Sequence, residues 1–166
     1  RKKKTIKPGL TTLSDALDIA FAEVGIVQDV EQRPLDDCFG AVLRRDVIAK
    51  VAVPSVDNSA MDGYALRFAD LANMTGAIDV IGSSMAGHPF EGTLPKGKAI
   101  RVATGAAIPN GADCVIIQEN VSANENETII EIRDDVIART QLAQNIRRAG
   151  EDIKQGTVVL SSGRVL

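Results

Sequence analysis

The segment Pro54-Ser-Val-Asp-Asn-Ser-Ala-Met-Asp-Gly-Tyr-Ala65 places two carboxylates, an amide and a hydroxyl directly before Gly63. A hydrophobic core does not require so many short polar side chains, so this segment is a candidate site loop. Hard oxygen ligands of this kind suit Mg²⁺, which usually keeps several waters as well. The alternative is a structural turn, in which Asp and Asn side chains bond to their own backbone. The residue types alone leave both interpretations open.

The composition indicates a folded protein of one domain or two small ones and excludes several classes of function. Of 166 residues, 45% are hydrophobic and 3% aromatic, and the net charge is −3. Without a basic stripe or stacking aromatics, the sequence does not favour nucleic-acid binding. The two cysteines form no CxxC pair and His88 is the single histidine. We therefore expect neither a Cys/His zinc site nor a Ser-His-Asp hydrolase.

The ends of the chain and its apolar runs bear on location. No apolar run reaches the roughly 18 residues of a membrane span, and no signal pattern opens the chain, so we expect a cytoplasmic protein without membrane contact. The chain begins with Arg1, which indicates a processed or trimmed start. Residues 1–10 read as a basic tail in solvent, with phosphate contact by Arg1-Lys-Lys-Lys4 as the alternative.

The clearest predicted helix lies near the start of the chain. Apolar residues recur at helical spacing from Leu13 to Val24, Thr12 and its neighbours offer N-cap oxygens, and Gly25 is a plausible stop. A second, brief helix is predicted within residues 36–43. The apolar stripe of the first helix must be covered by something, within this chain or beyond it.

The rest of the chain is predicted to be mainly β. Short apolar pieces between glycines and prolines predict strands at residues 47–53, 78–81, 99–103, 114–118, 128–132 and 157–160. A hairpin is expected around Asn124-Glu-Asn126. No alternation of strands and helices follows Gly25, so a doubly wound parallel sheet is not expected.

Two further segments combine turn residues with polar groups. In Arg101-Val-Ala-Thr-Gly-Ala-Ala-Ile-Pro-Asn-Gly-Ala-Asp113, a strand runs into Thr104-Gly105, where backbone N–H groups and a hydroxyl could form an anion cradle. In Asn145-Ile-Arg-Arg-Ala-Gly-Glu-Asp152, two arginines could bind the oxygens of phosphate or a similar oxyanion. An ordinary turn and a surface ion-pair cluster are the respective alternatives. Three such segments between strands suggest loops that converge on one site.

All three segments resemble the motifs of the MoeA family, which includes the gephyrin E region. The matching elements are Asp57-Asn-Ser-Ala-Met-Asp-Gly-Tyr-Ala65, the Thr-Gly and Pro-x-Gly-Ala-Asp elements within residues 101–119, and Asn-Ile-Arg-x-x-Gly-Glu-Asp-x-x-x-Gly at residues 145–156. Their order and spacing also match over nearly all of residues 11–165. One departure is Val56, where many relatives carry an aromatic residue.

The resemblance implies a mainly β (α+β) fold, with an N-terminal helix followed by coiled, bifurcated β-sheets. It implies an elongated dimerisation domain, domain I, from residues 11–50 and 140–166, and an inserted β-rich domain II at residues 51–139. Relatives continue into a pterin-binding domain III and a C-terminal domain IV. Neither is contained in residues 1–166, so we expect this chain alone to be inactive.

The function implied by the resemblance is transfer of molybdenum from molybdate into adenylylated molybdopterin, with hydrolysis of the adenylate and with Mg²⁺ involved. The family implies a homodimer with an inter-subunit cleft and a possible molybdopterin-adenylylating partner. Carried onto this chain, the catalytic residues are Asp62 and Asp152, the cofactor-binding residues are Asn58, Ser59, Thr104, Gly105 and Arg147, and Asp62 is the Mg²⁺ ligand. The alternative is a non-catalytic dimerisation or scaffold module of the gephyrin type.

Overall fold

The computed structural model describes residues 11–25, 27–73 and 76–166, so the predicted basic tail at residues 1–10 lies outside the described residues. The chain forms two compact units. The first runs to Arg44 and includes Gly163–Leu166, and the second is Arg45–Ser162. These units are defined by contacts alone, and the predicted boundaries of domains I and II stay a prediction.

Short strands dominate the described part of the chain. The helices there are α1 (Leu13–Glu23), α2 (Phe68–Leu71) and α3 (Asp134–Arg139), with short 3₁₀ turns at Leu35–Asp37 and Gln118–Asn120. The strands are β1 (Val47–Ile48), β2 (Asn58–Ser59), β3 (Gly63–Leu66), β4 (Ile78–Ser84), β5 (Ala99–Val102), β6 (Cys114–Ile117), β7 (Val121–Ala123), β8 (Ile129–Ile132), β9 (Ile146–Arg147) and β10 (Val158–Leu160). The predicted mainly β fold is confirmed.

Helix α1 begins as the sequence predicts. The Thr12 hydroxyl accepts a hydrogen bond from the Asp15 N–H at 3.2 Å, which is an N-cap contact. Its apolar stripe is not covered by the described residues of this chain, since Leu13 and Phe21 are 77% and 72% exposed. Among the described residues, no helix is both long enough and apolar enough to cross a bilayer.

The second unit is built around a sheet with the strand order β6-β3-β5-β4-β8-β7 within the described residues. Neighbouring strands are antiparallel except for β4 and β5, which run parallel. Two small ribbons complete the unit, β1 with β10 and β2 with β9. The second ribbon joins the first polar segment to the third.

Both faces of the central strands are buried, because successive side chains point to opposite sides of a sheet. Tyr64 and Leu66 of β3 belong to one apolar cluster, whereas Ala65 between them belongs to the other. The first cluster is covered by helical residues such as Leu71 and Val136. The second is covered by segments between the strands, with the apolar residues Leu94, Phe90, Ile108 and Ala112, and by Ile146 of β9.

Several elements differ from their predicted extents. Residues 36–43 form no α-helix beyond the turn at Leu35–Asp37, and the strand expected at residues 47–53 stops at Ile48. The hairpin around Asn124 joins β7 to β8, whereas β6 pairs with β3. Strand β3 itself was not expected, because its residues read as the end of the polar motif.

Gly63 lies where three strands meet, opposite Val102 of β5 and Ile117 of β6. A Cβ atom at this position would lie 2.2 Å from the backbone oxygen of Ile116. No side-chain movement can relieve a clash with backbone. The motif therefore requires glycine here to keep β3 and β6 paired.

We predict that Gly63→Ala lowers the free energy of unfolding by about 3 kcal/mol or more, as overpacking against fixed atoms does. The control is Gly87→Ala in an exposed turn, which has open space but a φ of +79° and should cost about 1 kcal/mol. Urea unfolding followed by circular dichroism measures both. Equal losses at the two positions would show that the close approach at Ile116 is not a constraint.

Candidate functional site

The backbone of residues 57–60 joins the three polar segments. On one side, Asn58 and Ser59 of β2 pair with Arg147 and Ile146 of β9. On the other side, the Gly105 N–H donates to the Ser59 carbonyl oxygen at 2.8 Å, and the Ser59 N–H donates to the Ala106 carbonyl oxygen at 2.9 Å. The first segment is thus hydrogen-bonded to both of the others, and the structure brings the predicted loops together.

Asp57 makes the strongest side-chain connection between the first and third segments. Its carboxylate accepts a hydrogen bond from the Ala149 N–H at 2.8 Å and forms an ion pair with Arg148. The Ala149 N–H, followed by the Arg148 guanidinium, holds the pKa of Asp57 below its usual value. The Asp57 carboxylate therefore stays charged and anchors the turn that carries Arg147 and Asp152.

Asp62 and Thr104 form a pair between the first and second segments. One carboxylate oxygen of Asp62, Oδ1, accepts from the Thr104 N–H at 2.6 Å and from the Thr104 hydroxyl at 2.9 Å. These two bonds, followed by the charge of Arg101, lower the pKa of Asp62. Asp62 is exposed to solvent, so its other oxygen, Oδ2, can reach a ligand as a charged acceptor.

The predicted anion cradle at Thr104 and Gly105 has its donors in use within the protein. The Thr104 N–H binds Asp62, and the Gly105 N–H binds the Ser59 carbonyl oxygen. An anion would have to displace Asp62 to reach the Thr104 N–H. Ligand binding by Thr104 and Gly105 stays a prediction, and the geometry favours a role for Asp62 itself at this position.

Arg147 and Asp152 form the second polar pair of the site. Arg147 Nη2 lies 2.5 Å from Asp152 Oδ1, and its Nε lies 3.8 Å from Glu151 Oε1. The Asp152 carboxylate, with a smaller contribution from Glu151, raises the pKa of Arg147. The guanidinium therefore carries its positive charge and is ion-paired within the protein. Such pairing is what the alternative interpretation of this segment, a surface ion-pair cluster, predicts.

Asn58 and Ser59 take different positions in the site. The Ser59 side chain is buried, and its hydroxyl donates to the Met61 carbonyl oxygen at 2.6 Å. This contact closes a local turn. Asn58 is half-buried, and its Oδ1 atom is buried without a hydrogen-bond partner among the described residues. Contact of either residue with a ligand stays a prediction.

The loops of the site are anchored in the core on their apolar residues. Ile108 from the second segment and Ile146 from the third pack against the cluster that contains Ile100 and Val115. The buried Ser84 hydroxyl donates to the Ala107 carbonyl oxygen at 2.8 Å and ties the second segment to β4. Because these loops are packed against the core, their polar side chains lose little conformational freedom when a ligand binds.

The acidic groups fit Mg²⁺ only in part. Among the described residues, no cluster of three or more His, Cys, Asp or Glu side chains could enclose a metal ion. Mg²⁺, however, is often bound by one or two carboxylates together with waters and substrate phosphates. The free Oδ2 of Asp62 suits that second kind of site, which a phosphorylated ligand would complete.

The sequence also draws attention to His88 and Cys114. His88 is exposed at the end of a turn that begins at Met85. Burial raises the pKa of the Cys114 thiol to about 12, which makes that group inert at neutral pH. Asp57, Arg148 and Arg101 received no individual role from the sequence. The available signals were the first carboxylate of the first segment and the second arginine of the third.

Comparisons with known proteins show the family of this chain. The family model "MoeA N-terminal region (domain I and II)" matches residues 11–166. A molybdopterin molybdenumtransferase of Haemophilus influenzae is 40% identical over 157 residues, which are 95% of this chain and 37% of that protein. One from Synechococcus elongatus is 36% identical over 163 residues, which are 95% of this chain and 39% of that protein.

A solved structure gives the same result for the fold. The molybdopterin biosynthesis moeA protein from Pyrococcus horikoshii OT3 superposes with a TM-score of 0.80 at 34% identity, over 95% of this chain and 41% of that one. The chain belongs to the MoeA family and corresponds to its N-terminal region. It spans about two fifths of the length of the relatives it matches.

We predict that Asp57→Ala lowers the free energy of unfolding by about 1 kcal/mol, because charged hydrogen bonds to Ala149 and Arg148 are lost from a partly exposed position. Donors that lower the folded pKa of Asp57 stabilise the protein above the unfolded pKa of about 3.9. This contribution is lost as the pH falls through the folded pKa. The difference from wild type should therefore shrink below about pH 4.

Urea unfolding at a series of pH values measures this difference. The matched control is Asp79→Asn, which removes an exposed pair with Lys98 and should change stability less. A loss at Asp57 that is the same at every pH would contradict a role for its charge.

Proposed function

We propose that this chain supplies one wall of the active cleft of a molybdopterin molybdenumtransferase. The reaction is insertion of molybdenum from molybdate into adenylylated molybdopterin, with hydrolysis of the adenylate. Family membership and the relatives' names support this assignment. The observation that carries it is the exposed Asp62 carboxylate, fixed by Thr104 on the same hydrogen-bonded assembly as Arg147 and Asp152.

Each polar pair has a role in this chemistry. The Asp62 carboxylate is deprotonated at neutral pH and can orient an attacking water through Oδ2. Mg²⁺, when bound there with a substrate phosphate, would supply charge neutralisation at the adenylate. Arg147 is an oxyanion clamp for molybdate or phosphate, and Asp152 holds it in place until an anion competes for the guanidinium.

The proposal includes the assembly of the protein. We place the site in a homodimer, with the other wall of the cleft from the pterin-binding region of a second subunit and with adenylylated molybdopterin delivered by an adenylylating partner protein. The exposed apolar stripe of α1 supports a covering partner. The same stripe favours the second candidate function, a gephyrin-type scaffold module. A cytoplasmic location follows from the biosynthetic role.

Replacing Asp62 with Asn in the whole gene product tests the assignment. Asn keeps an oxygen for the Thr104 donors but loses the charge, so we expect turnover to fall at least about a hundredfold with the dimer intact. Turnover is measured as AMP release and molybdenum cofactor formation from molybdate and adenylylated molybdopterin. Asp79→Asn is the control and should behave as wild type.

Two outcomes separate the candidates. Wild-type turnover by Asp62→Asn would remove Asp62 from the mechanism. A wild-type gene product that dimerises but neither inserts molybdenum nor releases AMP would support the scaffold alternative.

A further inference from the structure

Arg101 is a largely buried cation beside the proposed site. It lies on β5 directly opposite Tyr64 of β3, and its guanidinium carbon is 5.2 Å from the centre of the tyrosine ring. Only 18% of the side chain is exposed, and Glu127 Oε2 lies 3.3 Å from its Nε atom. Burying a charge costs free energy unless the charge is paired and hydrogen-bonded. The contacts of the Arg101 guanidinium therefore indicate what this residue does.

The guanidinium joins three neighbouring strands at their ends. Its Nη1 atom donates to the carbonyl oxygens of Gly63 at 3.0 Å and Val102 at 2.9 Å, the first residue of β3 and the last of β5. Its Nη2 atom donates to Gln118 Oε1 at 2.5 Å, directly after β6. One planar group thus fixes the ends of β5, β3 and β6 relative to one another.

The Asp62–Thr104 pair projects from these same strand ends. Asp62 precedes Gly63, and Thr104 follows Val102 by two residues. The Gln118 N–H donates to the Asp62 carbonyl oxygen at 3.1 Å, so the residue held by Arg101 also holds the backbone of Asp62. Any shift of one strand end would change the distance between the Asp62 carboxylate and the Thr104 donors.

Arg101 has little capacity left for a ligand. Its Nε, Nη1 and Nη2 atoms all donate to protein acceptors. Arginine offers five N–H donors in a rigid planar fork, whereas lysine offers a compact charge on a flexible stem. The bridging of three strand ends therefore depends on the shape of the guanidinium as well as on its charge.

We propose that Arg101 is a positioning residue that holds the Asp62 carboxylate against Thr104 by clamping the ends of β3, β5 and β6. Its functional meaning rests on the proposed role of Asp62. The positioning itself is a property of the folded chain and can be measured without turnover.

The test compares Arg101→Lys and Arg101→Gln with wild type in the 166-residue chain. Carbon-detected NMR titration reports the pKa of Asp62, and the proton shift of the Thr104 amide reports its bond to the carboxylate. In Arg101→Lys, which keeps the charge, we expect the Asp62 pKa to rise toward its ordinary value and the Thr104 amide to move upfield. In Arg101→Gln the loss of the Arg101 charge raises the Asp62 pKa by itself, so the Thr104 amide shift alone reports positioning there. Gln118→Ala should give a smaller change in the same directions, because it removes only the Nη2 contact.

Two controls separate positioning from general stability. Arg133→Gln removes an exposed arginine that pairs with Asp135, and Ile130→Val weakens the buried core by about 1 kcal/mol. Neither should move the Asp62 pKa or the Thr104 amide. If Ile130→Val moves them as much as Arg101→Lys does, or if Arg101→Lys moves neither of them, the proposal is wrong. If an Arg101 variant fails to fold, Gln118→Ala is the test instead. An unchanged Asp62 pKa and Thr104 amide shift in that variant would then contradict the proposal.

A turnover measurement completes the test in the whole gene product. Arg101→Lys should lower kcat about tenfold or more with little change in KM, because a misplaced carboxylate weakens the reacting geometry rather than substrate binding. If the NMR changes occur but kcat is unaffected, Arg101 positions Asp62 and the proposed function of Asp62 fails. If kcat falls without the NMR changes, the positioning proposal fails.

Discussion

The arrangement of the site depends on the hydrogen bonds that the backbone of residues 57–60 makes on two sides. On one side Asn58 and Ser59 pair with β9 and Ala60 bonds to Asn145, and on the other side the stretch bonds to residues 105–108. Segments far apart in sequence thus share one framework. Gly63 then lets the chain pass close to β6 and enter the sheet. The positions of Asp62 and Thr104 follow from this path, because Asp62 directly precedes β3 and Thr104 lies two residues after the end of β5.

The hydrogen bonds between the three segments also hold the charged side chains of the site in fixed positions. Asp57, Asp62 and Asp152 each accept hydrogen bonds from the neighbouring segment or turn. Charge-assisted bonds of this kind fix side-chain geometry at modest net gain in stability at an exposed surface. Asp57 and Asp62 thereby stay deprotonated, and all three side chains are oriented, while Ile108 and Ile146 pack the loops against the core. The proposed hydrolysis and oxyanion binding would require such preorganisation.

The sequence predicted the polar segments and most strand positions, but not how they connect. Turn residues and short apolar runs marked β5, β6 and β8, whose boundaries differ from prediction by a residue or so. Strand β3 was missed because its four residues are buried on both faces and show no alternation. The Asp62–Thr104 pair spans 42 residues of sequence, a separation that no local pattern encodes. Motif order could suggest that the loops converge, whereas only the folded chain shows that Asp62 occupies the predicted anion cradle.

The most direct test of this account is amide hydrogen exchange of the chain in solution, read residue by residue by NMR. If residues 57–60 bind both other segments without any ligand, the amides of Ser59, Ala60, Gly105 and Ile108 should exchange at least about a hundredfold more slowly than in an unfolded chain. Protection at these four amides, comparable with that of the sheet, is the predicted result. Exchange at unfolded rates there, with the sheet still protected, would contradict the claim that the three segments form one preassembled site.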